Sequence, residues 1–159
     1  MNFDRIDLNI LDILQRDATV PVARIGDQVG LSQTPCWKRI QKHEASGVIR
    51  ARVALLDPDA LGLSLTAFVM IEATEHTTEW RAGFLAAVEK LNAVSDVYRT
   101  AGQYDFFLRV MVADMSAFDR FYESLTAQIK LRSVNTVFAM DRVKTSTELP
   151  LADLIGAHA

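Results

Sequence analysis

The sequence is poor in the residue types on which extracellular and metal-dependent proteins rely. It contains one cysteine and three histidines among 159 residues. A single cysteine excludes an internal disulfide and suits a reducing cytoplasm. No run of about 18 apolar residues occurs, so the sequence predicts no transmembrane helix. The N-terminus is acidic and helical in pattern, unlike a signal peptide. We therefore expect a cytoplasmic protein without a membrane partner.

Sequence motifs of catalysis are also missing. No metal-ligand spacing, phosphate-binding loop or nucleophile elbow is found. His43, His76 and His158 are widely separated in the sequence, and two of them resemble surface residues. Cys36 falls on the apolar side of a predicted helix, which favours a small core residue over a nucleophile. The sequence thus predicts no catalytic residue, no metal site and no cofactor.

The most informative segment is residues 21–49, which has the pattern of two short helices joined by a glycine turn. Val22, Ile25 and Val29 recur at three- and four-residue spacing, which gives the first helix one apolar stripe. Gly30 can adopt the left-handed conformation that ends a helix. Ser32 can then cap the next helix with its side chain. This arrangement predicts a helix-turn-helix.

The second helix of the pair has two contrasting sides. Cys36, Ile40 and His43 share one side, whereas polar, aromatic and basic residues project from the other. Such a helix can enter the DNA major groove, with lysines on phosphates and Gln41 at a base edge. An ordinary pair of surface helices, with Trp37 packed on a neighbouring element, is the alternative. The predicted DNA-binding residues are Ser32, Gln33, Thr34, Trp37, Lys38, Gln41, Lys42, Arg50 and Arg52.

A further helix is expected before this pair, and a strand after it. Ile6, Ile10, Ile13 and Leu14 form the stripe of the earlier helix, and Asp4 is its expected cap. Residues 48–58 alternate and end at an Asp-Pro pair, which indicates a β-strand or small wing. At period two, Arg50 and Arg52 would share one face of that strand.

The distribution of charge supports DNA binding although the chain is acidic overall. The formal net charge is −3. Residues 33–56, however, carry a local charge of +4, since Lys38, Arg39, Lys42, Arg50 and Arg52 oppose Glu44 alone. Positive charge concentrated at a recognition helix is typical of a DNA-binding domain. A patch of this size binds DNA weakly on one chain, so two or more copies are expected to act together.

The second half of the chain, beyond the turn-rich residues 56–63, alternates strands and helices. Its predicted elements are strands at 63–74, 94–100, 106–112 and 133–145, with helices at 78–91 and 116–129. The order βαββαβ predicts a ferredoxin-like α+β domain with helices on one face of the sheet. Phe68 and Met70 would lie on the bare face, which a second copy would cover to form a homodimer.

Several local motifs together resemble the Lrp/AsnC family of leucine-responsive, or feast/famine, regulators. They are DRIDLNILDILQRDA, GLSQTPCWKRIQKHEASGVI, VALLDPDALG, AGQYDFFLRV and VFAMDRVKTSTELPL. The resemblance extends over nearly the full chain, from Asp4 to about Leu151. It implies a winged helix-turn-helix at 1–62 and an effector-binding RAM domain at 63–159. It also implies binding to promoter DNA, dimerisation through the RAM domain and assembly up to octamers, and Trp37, Trp80 and the FAM run suggest cysteine as one candidate effector.

The turn at residues 100–105 matches the family's ligand loop. Gly102 allows a ligand to approach the backbone, free N–H groups can hold a carboxylate, and Asp105 can accept bonds from an ammonium. An amino acid would satisfy all three. The alternative is a hairpin turn in which Asp105 stabilises its own backbone. The predicted effector residues are Thr100, Ala101, Gly102, Gln103, Tyr104 and Asp105, and by resemblance Thr136, Val137, Phe138, Ala139 and Met140 of a partner subunit.

Two positions depart from the family pattern, and two other classes of protein stay open. Val137 stands where many relatives have an aromatic residue, which leaves the pocket shape open. His43 stands where the family usually has a buried leucine. Either it is a partly exposed, harmless substitution or it makes the DNA-binding head sensitive to pH. An amino-acid enzyme and a ligand-binding or scaffolding module without DNA binding are the rival classes, and the basic helix face argues against the second.

Overall fold

The computed structural model describes residues 3–157, with only the backbone considered at Ala157, so His158 lies outside the described residues. The described elements are helices α1 (Arg5–Arg16), α2 (Val22–Val29), α3 (Gln33–Ala45), α4 (Thr78–Val88), α5 (Met115–Gln128) and α6 (Leu151–Ala157), and strands β1 (Leu65–Ala73), β2 (Val94–Arg99), β3 (Phe106–Val112) and β4 (Leu131–Phe138). No helix among these is long and apolar enough to cross a bilayer.

The chain divides into two compact units. One unit contains the chain up to Leu55 together with the segment from Lys144 onward, and the other is Leu56–Val143. This division differs from the predicted ranges 1–62 and 63–159, because the C-terminal segment joins the N-terminal unit. The reason is that α6 and the residues before it pack on α1.

The N-terminal unit is a three-helix head built on the predicted apolar stripes. Ile10, Ile25, Cys36 and Ile40 are fully buried at its centre, with Leu14 beside them. The local stop and start signals are mostly as predicted. Asp4 caps α1 in a reciprocal arrangement with Asp7, and Gly30 ends α2 with a φ of 75°.

One predicted cap is wrong. Ser32 occupies the N-cap position of α3, yet its side chain makes no capping hydrogen bond. The backbone organises this turn instead, because the N–H groups of both Gly30 and Leu31 donate to the carbonyl oxygen of Gly26. A Cβ at Gly26 would lie 2.6 Å from the Leu31 carbonyl oxygen, so the turn requires glycine there. The hydroxyl of Ser32 therefore stays available to an external partner.

The predicted strand or wing at residues 48–58 is also wrong for the single chain. This segment contains no strand, and Arg50 and Arg52 do not share a strand face. An extended segment becomes a strand only when its backbone pairs with another strand, and the described chain offers none here. Three apolar side chains are left largely exposed in consequence, namely Val53, Leu55 and Leu56.

The second unit has the predicted βαββαβ order. Its four strands lie in the order β2-β3-β1-β4, and every neighbouring pair is antiparallel. The buried residues of β1 and β3 alternate along each strand, and they face α4 and α5. The core is formed by Ala67, Val69, Ile71, Phe84, Val88, Phe106, Leu108, Val110, Val112, Phe118, Phe121 and Leu125. This is the ferredoxin-like α+β fold that the periodicity predicts.

The opposite face of the sheet carries no helix of this unit. Phe68 and Phe107 pack side by side there, with ring centroids 5.6 Å apart. Tyr98 and Val137 flank them in the strand register and are 58% and 56% exposed. The final strand ends at Phe138, earlier than predicted, and the chain continues without regular structure to residue 150. This face is called the open sheet face below.

Candidate DNA-binding face and effector turn

All nine predicted DNA-binding residues are exposed on the head. Seven of them lie on α3 or its N-cap, and Arg50 and Arg52 follow the helix. Trp37 is 50% exposed and stacks on no other ring among the described residues, so half of its surface is open to an external partner. The outer surface of α3 therefore has the size and polarity of a major-groove reading face.

Not every basic residue near α3 is free to contact DNA. Arg39 turns inward and pairs with Asp4 and Asp7, each at 2.7 Å. Arg52 is paired with Glu44 at 2.9 Å and also donates to the Ala18 carbonyl oxygen. The local charge of +4 thus overstates the charge available to phosphates. Within residues 3–157, the cations of this segment that have no ion pair are Lys38, Lys42 and Arg50.

The amide of Gln41 is also engaged within the chain. Its Nε2 donates to Glu44 at 2.7 Å, on the exposed side of α3. Glu44 therefore accepts bonds from both Gln41 and Arg52. A base edge would have to replace this intramolecular bond, and an exposed bond of this kind is readily exchanged.

A buried polar cluster fixes α3 against α1. His43 is 2% exposed and its Nε2 lies 3.1 Å from Oδ1 of Asp7, which also accepts from Arg39. The expectation that His43 is partly exposed is therefore wrong, because Asp7 supplies a partner inside the head. Hydrogen bonds to Asp7 and Asp4 raise the pKa of Arg39 further above its ordinary value. The backbone N–H of Asp7, and then Arg39, lower the pKa of Asp4.

The predicted effector turn lies between β2 and β3. Residues 100–103 are exposed, and Gly102 has a φ of 144°, a conformation open to glycine and strained for other residues. Thr100 closes the turn, because its hydroxyl donates to the Tyr104 carbonyl oxygen at 2.6 Å and its N–H donates to the Asp105 carbonyl oxygen. The exposed backbone of this turn remains accessible to a ligand.

The carboxylate of Asp105 is held between β1 and the loop that follows it. Its Oδ2 accepts from the Ala73 N–H at 2.8 Å, and its Oδ1 lies 3.3 Å from Nδ1 of His76. The side chain is 26% exposed. Asp105 thus partly matches the alternative in which it stabilises backbone, because Oδ2 accepts from the Ala73 N–H. Its other oxygen, Oδ1, faces the exposed His76. A small cavity beside it, of about 40 Å³, is also lined by Trp80, Arg81 and Arg99.

The second group of predicted effector residues lies far from this turn in the same chain. The N–H of Ala139 donates to the Thr66 carbonyl oxygen, whereas Asp105 bonds to Ala73 at the other end of β1. From Thr66 to Ala73 the strand spans about 23 Å, at roughly 3.3 Å per residue. One chain therefore does not bring the two groups together.

The five residues of this second group also point in different directions. Phe138 packs edge-on against Phe118, with ring centroids 5.0 Å apart, and Thr136 shares that helix-covered face. Val137 lies on the open sheet face, and Met140 is fully exposed. The ring of Phe138 packs against the core, so in this chain it contacts core residues such as Phe118, and its predicted contact with a ligand stays a prediction.

Two residues have a role in these sites that the sequence does not reveal. Arg39 anchors α3 to Asp7, and His76 contacts Asp105. Each acts through a partner distant in sequence. Helix phase does hold one signal, because Arg39 falls between the outer and buried sides of α3.

A helix-turn-helix head followed by a ferredoxin-like ligand-binding unit defines a class of DNA-binding transcriptional regulators. Family models match both parts of the chain. The Lrp/AsnC ligand binding domain matches residues 66–149, and the AsnC-type helix-turn-helix domain matches residues 3–42. The chain belongs to the Lrp/AsnC family, whose members are transcriptional regulators and not enzymes.

Named relatives and solved structures agree with this assignment. The glutamate uptake regulatory protein of Zymomonas mobilis is 44% identical over 150 residues, covering 94% of this chain and 92% of that protein. The DNA-binding transcriptional activator DecR of Escherichia coli is 42% identical over 149 residues, covering 93% and 98%. An AsnC family regulator from Agrobacterium tumefaciens superposes with a TM-score of 0.91 at 47% identity, covering 96% of this chain and 99% of that one.

A further solved structure was obtained with a small molecule. It is a transcriptional regulator from Neisseria meningitidis in complex with L-Met, similar to this chain with a TM-score of 0.89 and 29% identity, covering 96% of this chain and 99% of that one.

Proposed function

We propose that α3 reads the DNA major groove and that an amino acid bound at the turn of residues 100–105 modulates that activity. The observation that carries the DNA part is the separation of charges on α3. Arg39 anchors the helix to Asp4 and Asp7, while Lys38 and Lys42 project from the exposed face with no ion pair among the described residues. A helix fixed on one side and basic on the other is suited to insertion into DNA.

The proposed roles of individual residues follow from their positions. Lys38, Gln41 and Thr34 contact base edges, and Lys42 and Arg50 contact phosphates. Ser32 adds a phosphate contact, because it is exposed at the N-terminus of α3 and its hydroxyl makes no capping bond. Arg52 contributes less than predicted, since Glu44 already neutralises it.

Binding to DNA is tested with operators selected from the genome by footprinting of the bound protein. Lys42→Ala should weaken binding to all sequences and reduce the slope of affinity against salt by about 1. Gln41→Ala should mainly relax sequence preference. Lys90→Ala, which removes an exposed lysine from the other unit, is the matched control. If Lys38→Ala combined with Gln41→Ala left operator affinity unchanged, α3 would not be the reading helix.

We propose an amino-acid effector on the chemistry of the turn. A relative of the same fold holds L-Met, and the matched family domain is a ligand-binding domain. In this chain, Asp105 would accept the ammonium, and backbone N–H groups near Gly102 would hold the carboxylate. Cysteine and glutamate are the other candidates, and calorimetry with a panel of amino acids distinguishes them.

We propose that two copies pair through the open sheet face. Phe68, Phe107, Tyr98 and Val137 form an apolar surface there that no helix of the unit covers. Within one chain, Ala139 and Met140 lie about 23 Å from the turn, at roughly 3.3 Å per residue along the strand. Pairing would let these two residues of one copy approach the turn of the other copy. A second copy could supply the missing strand partner of residues 48–58, and such dimers could assemble further, up to an octamer, in the cytoplasm.

A further inference from the structure

The two carboxylate oxygens of Asp105 contact partners that differ in how easily they can be displaced. Oδ2 accepts from the Ala73 N–H, a backbone group at the end of β1 that cannot move away without breaking the sheet. Oδ1 faces the imidazole of His76, which stands on the loop after β1 and is 77% exposed. Only the second partner can leave at little cost, because an exposed side chain exchanges its contact for water.

The surroundings of Oδ1 fit a small positively charged group. The adjoining cavity, of about 40 Å³, is small and borders Asp105, which suits it to the ammonium end of a ligand. The remainder of the ligand would then extend towards the exposed turn. The charged groups that face this cavity, besides Asp105 and His76, are Glu75, Arg81 and Arg99.

Building on the proposed amino-acid effector, we propose that His76 is a specificity-determining residue of this site. Its imidazole Nδ1 lies 3.3 Å from Oδ1 of Asp105, so it would compete with the effector's ammonium for that oxygen. A ligand is then admitted only if its own amino group replaces the imidazole. The side chains of Arg81 and Arg99 make no hydrogen bond or ion pair with other described residues, so they remain available to the ligand's anionic part.

The competition makes a directional prediction for substitution. His76→Ala removes the competing donor and should tighten amino-acid binding by roughly two- to fivefold, the range expected for an exposed ion pair. His76→Asn keeps a donor of similar reach and should bind as the wild type does. Asp105→Asn should lose binding, because it removes the charge while its side-chain oxygen can still accept from Ala73.

The experiment is calorimetry on the full chain with L-methionine, L-cysteine, L-glutamate and L-leucine, each beside its N-acetyl derivative. The gain in His76→Ala should appear only for ligands with a free ammonium. Binding by His76→Ala where the wild type shows none would support the proposal equally. In the absence of ligand, the His76 imidazole resonances should shift in Asp105→Asn, which tests the contact itself.

The possible failures are distinguishable. One outcome is that amino acids bind, Asp105→Asn abolishes binding and His76→Ala binds as the wild type does. That result would refute the role of His76 and support the effector proposal. If Asp105→Asn binds normally, the ligand lies elsewhere and the role of His76 falls with the site. If no variant binds any of these amino acids, both effector proposals fall, while the operator assay still decides DNA binding separately.

Discussion

The side-chain amide of Gln15 forms a reciprocal pair of hydrogen bonds with the backbone of Leu149. Nε2 donates to the carbonyl oxygen at 3.1 Å, and Oε1 accepts from the N–H at 2.8 Å. Arg16 adds an ion pair to Glu148 at 3.3 Å. These bonds hold the C-terminal segment on α1, so the chain leaves the head at Leu55 and returns to it at Lys144.

Removing this amide should loosen the returning segment. In Gln15→Ala the Leu149 N–H loses its acceptor, and its hydrogen exchange should accelerate by roughly two- to tenfold, in proportion to a bond of about 0.5–1.5 kcal/mol. Gln128→Ala is the control, because that amide donates to Ser124 within its own helix. Unchanged exchange at Leu149 in Gln15→Ala would show that other contacts hold the segment.

Arg39 should contribute more to the stability of the head than an exposed arginine does, because it pairs with the buried Asp7. Arg39→Ala leaves the carboxylate of Asp7, 8% exposed, with fewer donors, which should cost about 1–3 kcal/mol in unfolding free energy. Arg16→Ala, which removes exposed pairs with Asp12 and Glu148, should cost less, up to about 1 kcal/mol. Urea unfolding of both variants gives the comparison, and equal losses would mean that the buried contact adds nothing.

Cys36 should resist modification in the folded protein. Its side chain is fully buried, and burial raises the pKa of the thiol above 9.0 against a smaller opposing effect of Arg39. Alkylation should be slower in the native chain than in urea by about two orders of magnitude, because both the thiolate and access are lacking. Mass spectrometry after timed quenching measures both rates, and similar rates would place the thiol at the surface.

Because the pKa of Cys36 is raised, the stability of the folded head should fall as the pH rises into the alkaline range. The folded head retains the thiol proton more strongly than the unfolded chain, so this contribution is complete below 9.0 and is lost as the pH rises through the higher folded value. Cys36→Ala should therefore lose less stability than the wild type between neutral and strongly alkaline conditions. Parallel slopes for the two proteins would contradict the assignment.

The elements of the fold were predictable because each carries its own periodicity. The stripe of Ile10 and Leu14, and the alternation along β1 and β3, depend on neighbours within a few residues. The strand expected at residues 48–58 failed because a strand also needs a partner, which the pattern of one segment does not contain. The local sequence pattern therefore predicts helices and core strands, but it does not predict which strand pairs with which.

The sequence predicted which residues are exposed at the sites, but it did not predict which residues contact one another there. The exposed residues of α3 follow from helix phase, and all nine predicted contacts are exposed. The inward turn of Arg39 and the contact of His76 with Asp105 depend on residues about 30 positions away, which only the folded chain brings together. For the same reason, the packing of Phe138 in the core was not foreseen.

The open sheet face gives a test of assembly that is independent of ligand and DNA. Val137→Asp should disrupt the proposed dimer, because it would bury a charge against the apolar surface formed by Phe68 and Phe107. Leu85→Asp is the matched control, since Leu85 is an exposed apolar residue on α4, which packs on the other face of the sheet. Light scattering of the full chain at micromolar concentration should give a dimer or larger assembly for the wild type and the control, and a smaller species for Val137→Asp.

The fragment of residues 56–143 makes the same test without the head. It contains the complete four-stranded sheet and its core, so it should fold and still associate if the open sheet face is the interface. Circular dichroism checks that the fragment and its Val137→Asp form are folded before their masses are compared. A folded fragment that is monomeric at micromolar concentration, from a full chain that is dimeric, would move the interface to the head or to the exposed residues Val53 and Leu55.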